Sequence, residues 1–260
     1  LLEEAGLPKG VVNFVPGAGR TIGTPAISHP DLAGVHFTGS TGVFQGMWKS
    51  VGENINNYKC YPRIVGETGG KDFIFAHASA DMQALVTATV RGSFEFQGQK
   101  CSAASRAYIP KSLWSDYKER LVAEIAKIKM GDVRDFTNFM NAVIDEKAFD
   151  TISSYITHAK ESSDATILCG GGFDKSKGYF IEPTVIVTTN PNYKSLTEEI
   201  FGPVMTIFVY DDKDFDATLD SCDTASAYAL TGAIFSQDRY AAIKMTKRLE
   251  HAAGNFYIND

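Results

Sequence analysis

Two polar segments of the chain carry residues that could do chemistry. Cys101 lies in the small, polar stretch from Gly98 to Ser105, between a helical pattern and a strand-like run. A cysteine reacts as its thiolate, and neighbouring Lys100 together with nearby backbone N–H groups would favour that form. Glu67 ends an apolar run and has three glycines nearby. We expect its carboxylate to be partly buried and suited to act as a general base towards water.

Each of these residues also has a plainer interpretation. An arbitrary cysteine is more often buried and inert, and we assign Cys60, Cys169 and Cys222 to that class. Glu67 could equally cap a helix or face solvent. None of the five histidines is placed like a triad base, which disfavours a cysteine hydrolase. The four cysteines show no CxxC or Cys/His clustering, so we expect no metal site and no disulfide framework, and a reducing compartment suits them.

Two further segments could bind a cofactor. The stretch Thr38-Gly39-Ser40-Thr41-Gly42 follows a strand and opens a helix, whose first N–H groups could bind phosphate. It matches neither the GxGxxG fingerprint nor a Walker motif, so a plain turn is an equally good interpretation. In the turn before Pro203, the Glu199 carboxylate could accept hydrogen bonds from a ribose diol, and the Phe201 ring could lie against a flat heterocycle. The alternative is a loop that contains a buried phenylalanine.

Strands and helices alternate along the chain, which predicts an α/β fold with a parallel sheet. Ligands bind such sheets beyond the carboxyl ends of the strands, where Gly39–Gly42 and Glu67 are both expected. The predicted strands are Val11–Val15, Val35–Phe37, Arg63–Gly66, Asp72–Ala76, Arg106–Pro110, Thr166–Leu168, Ile181–Val187, Val204–Tyr210 and Gly232–Phe235. The predicted helices are Thr21–Ser28, Val43–Asn56, Ala80–Phe94, Leu113–Ile128, Glu146–Glu161, Asp214–Cys222 and Arg239–Leu249.

Length and charge exclude several classes of protein. The chain has 260 residues, enough for two domains, and Gly69-Gly70 resembles a boundary between residues 1–70 and 71–260. The formal charge of -6 argues against nucleic-acid binding. No apolar run approaches the roughly 18 residues of a membrane span. The first residues read as the last turn of a helix, and the chain ends on the strand-like Asn255-Phe256-Tyr257-Ile258-Asn259-Asp260, so we expect a fragment of a longer protein at both ends.

Four segments, taken in order, resemble the motifs of the NAD(P)-dependent aldehyde dehydrogenase superfamily. They are Phe37-Thr38-Gly39-Ser40, Glu67-Thr68-Gly69-Gly70-Lys71, Gly98-Gln99-Lys100-Cys101-Ser102-Ala103 and Glu199-Ile200-Phe201-Gly202-Pro203. The resemblance covers essentially the whole chain. With Thr68, and with Lys100 before the cysteine, the sequence resembles those members of the superfamily that oxidise glutamate γ-semialdehyde in proline degradation. The resemblance implies the end of a Rossmann-type cofactor domain (1–70) followed by an α/β catalytic domain (71–260) that is incomplete at its C-terminal end.

The resemblance also implies a role for each candidate residue. Cys101 attacks the aldehyde to give a thiohemiacetal and then a thioester, its backbone N–H contributes to the oxyanion hole, and Glu67 activates the hydrolytic water. Lys100 and Ser102 border the substrate. The implied cofactor is NAD, although NADP is left open, and no metal is implied. The implied cofactor-binding residues are Gly39, Ser40, Thr41, Gly42, Val43, Glu199 and Phe201.

The same resemblance sets expectations for the whole protein. It implies a homodimer or higher homo-oligomer in the mitochondrial matrix that acts on a small semialdehyde and binds neither nucleic acid nor membranes. This chain corresponds to about half of such an enzyme and lacks the second oxyanion donor and the main carboxylate-anchoring loop, so alone it is expected to be poorly active. Two alternatives stay open, another semialdehyde dehydrogenase and a non-catalytic relative.

Overall fold

A computed structural model describes residues 1–260 and shows two compact units, Leu1–Thr68 and Gly69–Asp260. The helices are α1 (Gly19–Ile27), α2 (Thr41–Glu53), α3 (Met82–Phe94), α4 (Lys111–Ile125), α5 (Glu146–Glu161), α6 (Lys194–Thr197), α7 (Phe215–Thr224) and α8 (Arg239–Leu249). The strands are β1 (Gly34–Gly39), β2 (Arg63–Thr68), β3 (Phe73–Ala76), β4 (Arg106–Pro110), β5 (Ala165–Cys169), β6 (Phe173–Asp174), β7 (Phe180–Ile181), β8 (Thr184–Thr188), β9 (Val204–Tyr210), β10 (Thr231–Phe235) and β11 (Asn255–Ile258). The units divide close to the boundary expected after Gly70, and the cofactor and catalytic assignments of the two parts stay predictions.

The first unit is built on a two-stranded parallel sheet of β1 and β2, with α1 before β1 and α2 in the connection between the two strands. The predicted strand Val11–Val15 does not form. Val11, Val12, Phe14 and Val15 are all exposed and no strand pairs with them. An apolar run becomes a strand only where a partner satisfies its backbone N–H and C=O groups, so this prediction was wrong.

The second unit is organised around a seven-stranded sheet in the order β11-β10-β3-β4-β9-β8-β5. Every neighbouring pair is parallel except β5 and β8, which are antiparallel. Every residue of β3 and β4 is buried, as expected for central parallel strands covered on both faces. The predicted α/β class with a parallel sheet is therefore confirmed.

Helices pack on this sheet through apolar stripes. In α5 the buried residues Phe149, Ile152, Ile156 and Ala159 recur at helical spacing, and the Asp145 side chain caps the helix by accepting from the Ala148 amide.

One predicted strand, Ile181–Val187, is instead divided into β7 and β8. Pro183 lies between them and has no N–H to continue a ladder, which explains the break. None of the helices is both long and apolar enough to cross a bilayer.

Candidate active site

The carboxyl edge of the small sheet in the first unit carries two of the predicted site segments. Strand β1 ends at Gly39, Ser40 precedes α2, and the first bond of that helix runs from the Phe44 amide to the Ser40 carbonyl. The amides of Gly42 and Val43 are therefore not used by the helix ladder. Glu67 lies opposite Thr38 in the parallel register. The first unit thus brings Glu67 and the segment 39–43 to the same edge of one sheet.

Glu67 is exposed, whereas the sequence predicted partial burial. Burial alternates along β2, and Arg63, Val65 and Glu67 share the exposed face of a sheet that has only two strands. The strand before Glu67 is apolar, but within this unit nothing covers that face. The general-base role of Glu67 stays a prediction, and the expected partial burial was wrong.

Cys101 lies in a tight turn that follows α3 in the second unit. The 3₁₀ segment Glu95–Gly98 contains Phe96 and Gln97 at φ 53° and 58°, followed by Gly98 at 65°. Left-handed backbone is costly for residues with a side chain, and such strain gathers at functional sites. The Cys101 side chain is exposed, and its amide donates to no backbone acceptor. The turn therefore presents a thiol together with an unpaired N–H group.

Two glutamines hold this turn in place, and sequence reasoning did not single them out. The buried Gln97 side chain donates to the Ala142 carbonyl at 3.3 Å and accepts from the Asn141 amide at 3.0 Å. Gln99 accepts from the Ile144 amide at 2.8 Å. All three acceptors and donors belong to a loop more than forty residues away in sequence. No local pattern could have revealed these contacts.

Lys100 is paired with a carboxylate, not with the thiol. Its Nζ lies 2.5 Å from Glu95 Oε2, and Arg91 lies 2.6 Å from Glu95 Oε1. The hydrogen bond and charge of Lys100, with a further contribution from Arg91, lower the pKa of Glu95. Lys100 was expected to favour the Cys101 thiolate, but its ammonium is already bound by Glu95, and that ion pair competes with any interaction with the thiolate.

Ser102 borders a cavity next to the turn. Its carbonyl oxygen lies 3.1 Å from Thr231 Oγ1. Ser102, Gly92, Thr231 and Tyr257 are among the residues that line a cavity of about 370 Å³. Ser102 is thus placed beside a space of ligand size, while its assignment to the substrate stays a prediction.

Glu199 rests against the Gly69-Gly70 turn. Its Oε1 accepts from the Gly70 amide at 3.3 Å, and a Cβ built on Gly69 would lie 1.9 Å from Oε2, so the carboxylate can take this position only because residue 69 is glycine. The residue is exposed overall, but this packing removes water from its carboxylate. The loss of hydration raises the pKa of Glu199. Phe201, two residues on, has φ 58° and an exposed ring, which contradicts the buried-phenylalanine alternative.

The thiol turn and the Glu199 loop are in direct contact. A Cβ on Gly98 would lie 2.4 Å from the Gly202 carbonyl oxygen, so the two backbones approach as closely as glycine allows. Two segments about a hundred positions apart in sequence therefore meet. The second unit brings together Lys100, Cys101 and Ser102 on one side and Glu199 and Phe201 on the other.

A buried group of charges lies beside this contact and was missed by sequence reasoning. Lys71 is fully buried, and its Nζ has no hydrogen-bond partner. Burial first, then repulsion by Arg106, lowers the pKa of Lys71 to about 7. Asp72 accepts from the Leu230 amide and from Thr231 Oγ1, and burial raises its pKa to about 6. The only sequence signal was a lysine and an aspartate directly before a buried apolar strand.

Comparison with known proteins agrees with this geometry. The model of the aldehyde dehydrogenase family matches residues 1–260. The chain is 56% identical over 261 residues to the mitochondrial delta-1-pyrroline-5-carboxylate dehydrogenase of Dictyostelium discoideum, covering 100% of this chain and 47% of that protein. It is 47% identical to the human mitochondrial enzyme of the same name, covering 100% of this chain and 46% of that protein. The chain spans about half the length of the curated relatives it matches.

Solved structures give the same result. The delta-pyrroline-5-carboxylate dehydrogenase of Mycobacterium tuberculosis bound with NAD is 48% identical and superposes with a TM-score of 0.92, over 100% of this chain and 47% of that one. The 1-pyrroline-5-carboxylate dehydrogenase from Thermus with bound NAD is 31% identical, with a TM-score of 0.89, over 98% of this chain and 48% of that one. The resemblance seen in the four motifs is confirmed, and the chain belongs to the aldehyde dehydrogenase family.

Proposed function

We propose that the complete protein oxidises L-glutamate γ-semialdehyde to L-glutamate with NAD, through a covalent intermediate on Cys101. The observation that carries the proposal is the close contact between the Cys101 turn and the Glu199 loop at Gly98 and Gly202. It brings the turn that carries the exposed Cys101 thiol against the loop that carries Glu199, which supports a site shared by the two residues. The relatives named above as delta-1-pyrroline-5-carboxylate dehydrogenases support the choice of substrate.

The residues present fit a dinucleotide cofactor. The start of α2 offers the Gly42 and Val43 amides after a parallel strand, and a Cβ on Gly42 would have nothing within 4 Å. Ser40 makes no side-chain cap bond, so its hydroxyl is available. Such a helix start binds phosphate. Gly39, Ser40, Thr41, Gly42 and Val43 would hold the pyrophosphate.

The nicotinamide half would be held in the second unit. The Glu199 carboxylate, held by the Gly70 amide, would accept hydrogen bonds from the nicotinamide ribose. The exposed Phe201 ring would border the nicotinamide. When bound, NAD supplies the hydride acceptor that converts the thiohemiacetal into a thioester.

The chemistry of the chain's own residues begins at the thiol. Cys101 Sγ attacks the aldehyde carbon, a C–S bond forms, and the carbonyl electron pair moves to oxygen. The Cys101 amide, which has no acceptor in the chain, donates to that oxyanion. This splits a difficult oxidation into two easier steps.

Release of the product needs a base and a water molecule. Glu67 removes a proton from water, the water oxygen attacks the thioester carbon, and the C–S bond breaks to regenerate the thiolate. Exposure of Glu67 suits a residue that must exchange its proton with solvent. Ser102, and Lys100 through its end of the turn, would border the substrate's carboxylate side.

We further propose that the complete protein is a homodimer or higher homo-oligomer of the mitochondrial matrix. The relatives from Dictyostelium discoideum and Homo sapiens are named mitochondrial, while the relative from Agaricus bisporus is not. Fractionation of cells that express the tagged complete protein would test the location, and light scattering would test the assembly.

The decisive experiment measures NADH formation by the complete protein with semialdehydes of increasing chain length. Glutamate γ-semialdehyde is expected to give the highest kcat/KM, and a better rate with another chain length would instead indicate another semialdehyde dehydrogenase. Cys101→Ala should abolish NADH formation, while Cys60→Ala, which removes another exposed thiol, should not. Glu67→Gln should release about one NADH per site and then stop at the thioester. Normal turnover by Cys101→Ala would refute the mechanism, and no NADH with any aldehyde would indicate a non-catalytic relative.

A further inference from the structure

The ammonium group of Lys71 is buried without a hydrogen-bond partner, and the mechanism above does not use it. The main chain of Lys71 is fixed, because its amide donates to the Tyr228 carbonyl at 2.8 Å and its carbonyl accepts from Arg106 Nε at 3.0 Å. Its side chain is fully buried, and Nζ has no partner. A lone charge in the interior is costly, so a lysine here has to be explained by what it acts upon.

Among the nearby carboxylates, Glu199 is the one that the Lys71 ammonium can stabilise. Asp72 already has hydrogen bonds on both oxygens, from the Leu230 amide at 2.8 Å and Thr231 Oγ1 at 2.9 Å. Among the three carboxylates near Lys71, the charge of Glu199 raises the pKa of the lysine the most, ahead of Asp72 and Glu198. Lys71 also follows directly on the Gly69-Gly70 turn against which the Glu199 carboxylate rests.

Arg106 does not replace Lys71 in this role. Its Nη1 donates to the Tyr108 hydroxyl at 3.0 Å, and its guanidinium faces the Phe73 and Tyr108 rings at 5.4 and 5.7 Å. Arg106 is thus committed to the core, whereas the Lys71 ammonium is not.

We propose that Lys71 is a positioning residue that holds the Glu199 carboxylate ionised and in place to receive the nicotinamide ribose. This inference rests on the proposed function, because it assumes that Glu199 binds that ribose. The Gly70 amide holds Glu199 at 3.3 Å, which is long for a hydrogen bond to a charged group. A buried cation next to the turn supplies the additional attraction that one long bond does not.

The test compares two ligands of the complete protein by isothermal titration calorimetry. NAD contains the nicotinamide ribose, whereas ADP contains only the adenosine half with its phosphates. Lys71→Met should raise the Kd for NAD about tenfold, the equivalent of one lost polar interaction, and leave the Kd for ADP unchanged. Lys160→Met, which removes a lysine bonded to the Gly171 carbonyl elsewhere in this unit, is the matched control and should change neither Kd.

A double-mutant cycle then asks whether the two residues act together. If Lys71 acts through Glu199, NAD should bind the double variant Lys71→Met, Glu199→Gln no more weakly than it binds Glu199→Gln. Fully additive losses, an equal loss of ADP affinity, or an unchanged NAD Kd in a folded Lys71→Met protein would each overturn the inference. Thermal melting establishes folding, and Lys71→Gln provides the second variant if Lys71→Met does not fold.

The unmodified protein supplies a readout that needs no variant. The pKa of Lys71 is lowered to about 7, so its ammonium loses a proton as pH rises through that value. The charged groups that act on it are Arg106, Glu199, Asp72 and Glu198. NAD affinity should fall relative to ADP affinity between about pH 6 and pH 9, by about tenfold if the effect equals that of Lys71→Met. A constant ratio across this range would count against the inference.

The outcomes separate this inference from the proposed function. If Glu199→Gln leaves the NAD Kd unchanged, the ribose-binding role of Glu199 fails, and the role of Lys71 fails with it. If Glu199→Gln weakens NAD binding and a folded Lys71→Met protein does not, only the Lys71 inference fails.

Discussion

Gly98 joins the thiol turn to the Glu199 loop, and its replacement by alanine tests whether that junction is as tight as the structure shows. The residue is buried at φ 65°, and an added Cβ would lie 2.4 Å from the Gly202 carbonyl oxygen and 2.9 Å from the Ser93 carbonyl oxygen. Both neighbours are backbone atoms, which cannot swing aside as a side chain can. The substitution must therefore move one of the two segments.

Two costs add in Gly98→Ala. Alanine in the left-handed region costs about 1–2 kcal/mol. Forcing a methyl group against fixed backbone costs a further 1–3 kcal/mol or so. The free energy of unfolding should therefore fall by about 2–5 kcal/mol in total. A loss of this size is large for a single substitution.

Gly171→Ala is the matched control in the same unit. Gly171 also has a left-handed backbone, at φ 89°, but its added Cβ would meet only side-chain atoms of Ile167 and Lys160, at 3.2 Å and beyond. It should pay the conformational cost of about 1–2 kcal/mol and little more. Urea unfolding followed by circular dichroism and by the fluorescence of Trp114, which packs against the core of this unit, measures both variants.

The comparison between the two variants decides the argument. Gly98→Ala should be the less stable by about 1–3 kcal/mol, and the alkylation rate of Cys101 by iodoacetamide should change in it alone. Equal stability of the two variants would show that the turn and the loop are not in tight contact. The structural basis for placing Cys101 beside Glu199 would then be lost.

Three further predictions follow from single sites. Gly69→Ala would put a Cβ 1.9 Å from Glu199 Oε2, so it should displace that carboxylate and weaken NAD binding. The melting temperature should change little, because the exposed Glu199 side chain can move away. NAD affinity equal to that of the wild type in calorimetry would contradict this prediction. The pKa of Asp72 is raised from 3.8 to about 6, so the folded state binds the carboxyl proton more tightly than the unfolded state does. The free energy of unfolding should therefore fall as pH rises from about 4 to about 6, by up to about 3 kcal/mol. Asp72→Asn should remove this fall, and parallel pH dependence of the two proteins in urea unfolding at pH 4 and pH 7 would refute the assignment. Gly46→Ala, inside α2 with nothing within 4 Å of the added Cβ, should raise stability by about 0.5–1 kcal/mol, and a lower urea midpoint would show that the position is not open.

Regular elements with local signals were predictable from the sequence. The bounds of α5, α8 and β9 coincide with those expected. Asp145 and Asp238 cap the two helices with their side chains, and β9 is a run of apolar residues between turn signals. In each case the free energy that fixes the boundary comes from residues next to it in sequence.

Features fixed by distant contacts were not predictable. Gln97 adopts a left-handed backbone because its side chain is held by Ala142 and Asn141, and no propensity anticipates that. Lys71 was given no role from the sequence, yet its side chain is fully buried and its main chain is bonded to Tyr228 and Arg106, both far away in sequence. Val11–Val15 likewise forms no strand because no other strand pairs with it.

Backbone strain supplies an argument for the site that does not depend on any relative. The residues other than glycine with positive φ are Phe96, Gln97, Phe201 and Asn259. The first three lie in the two segments that meet at Gly98 and Gly202, and only Asn259 lies elsewhere. Strained backbone lowers the stability of a protein, and it is retained where function requires a particular geometry. The buried and unpartnered Lys71 is a second cost beside the Glu199 loop. The strained residues lie on the segments that present the Cys101 thiol and the Glu199 carboxylate, and the buried lysine lies next to them, which is what a preorganised active site would require.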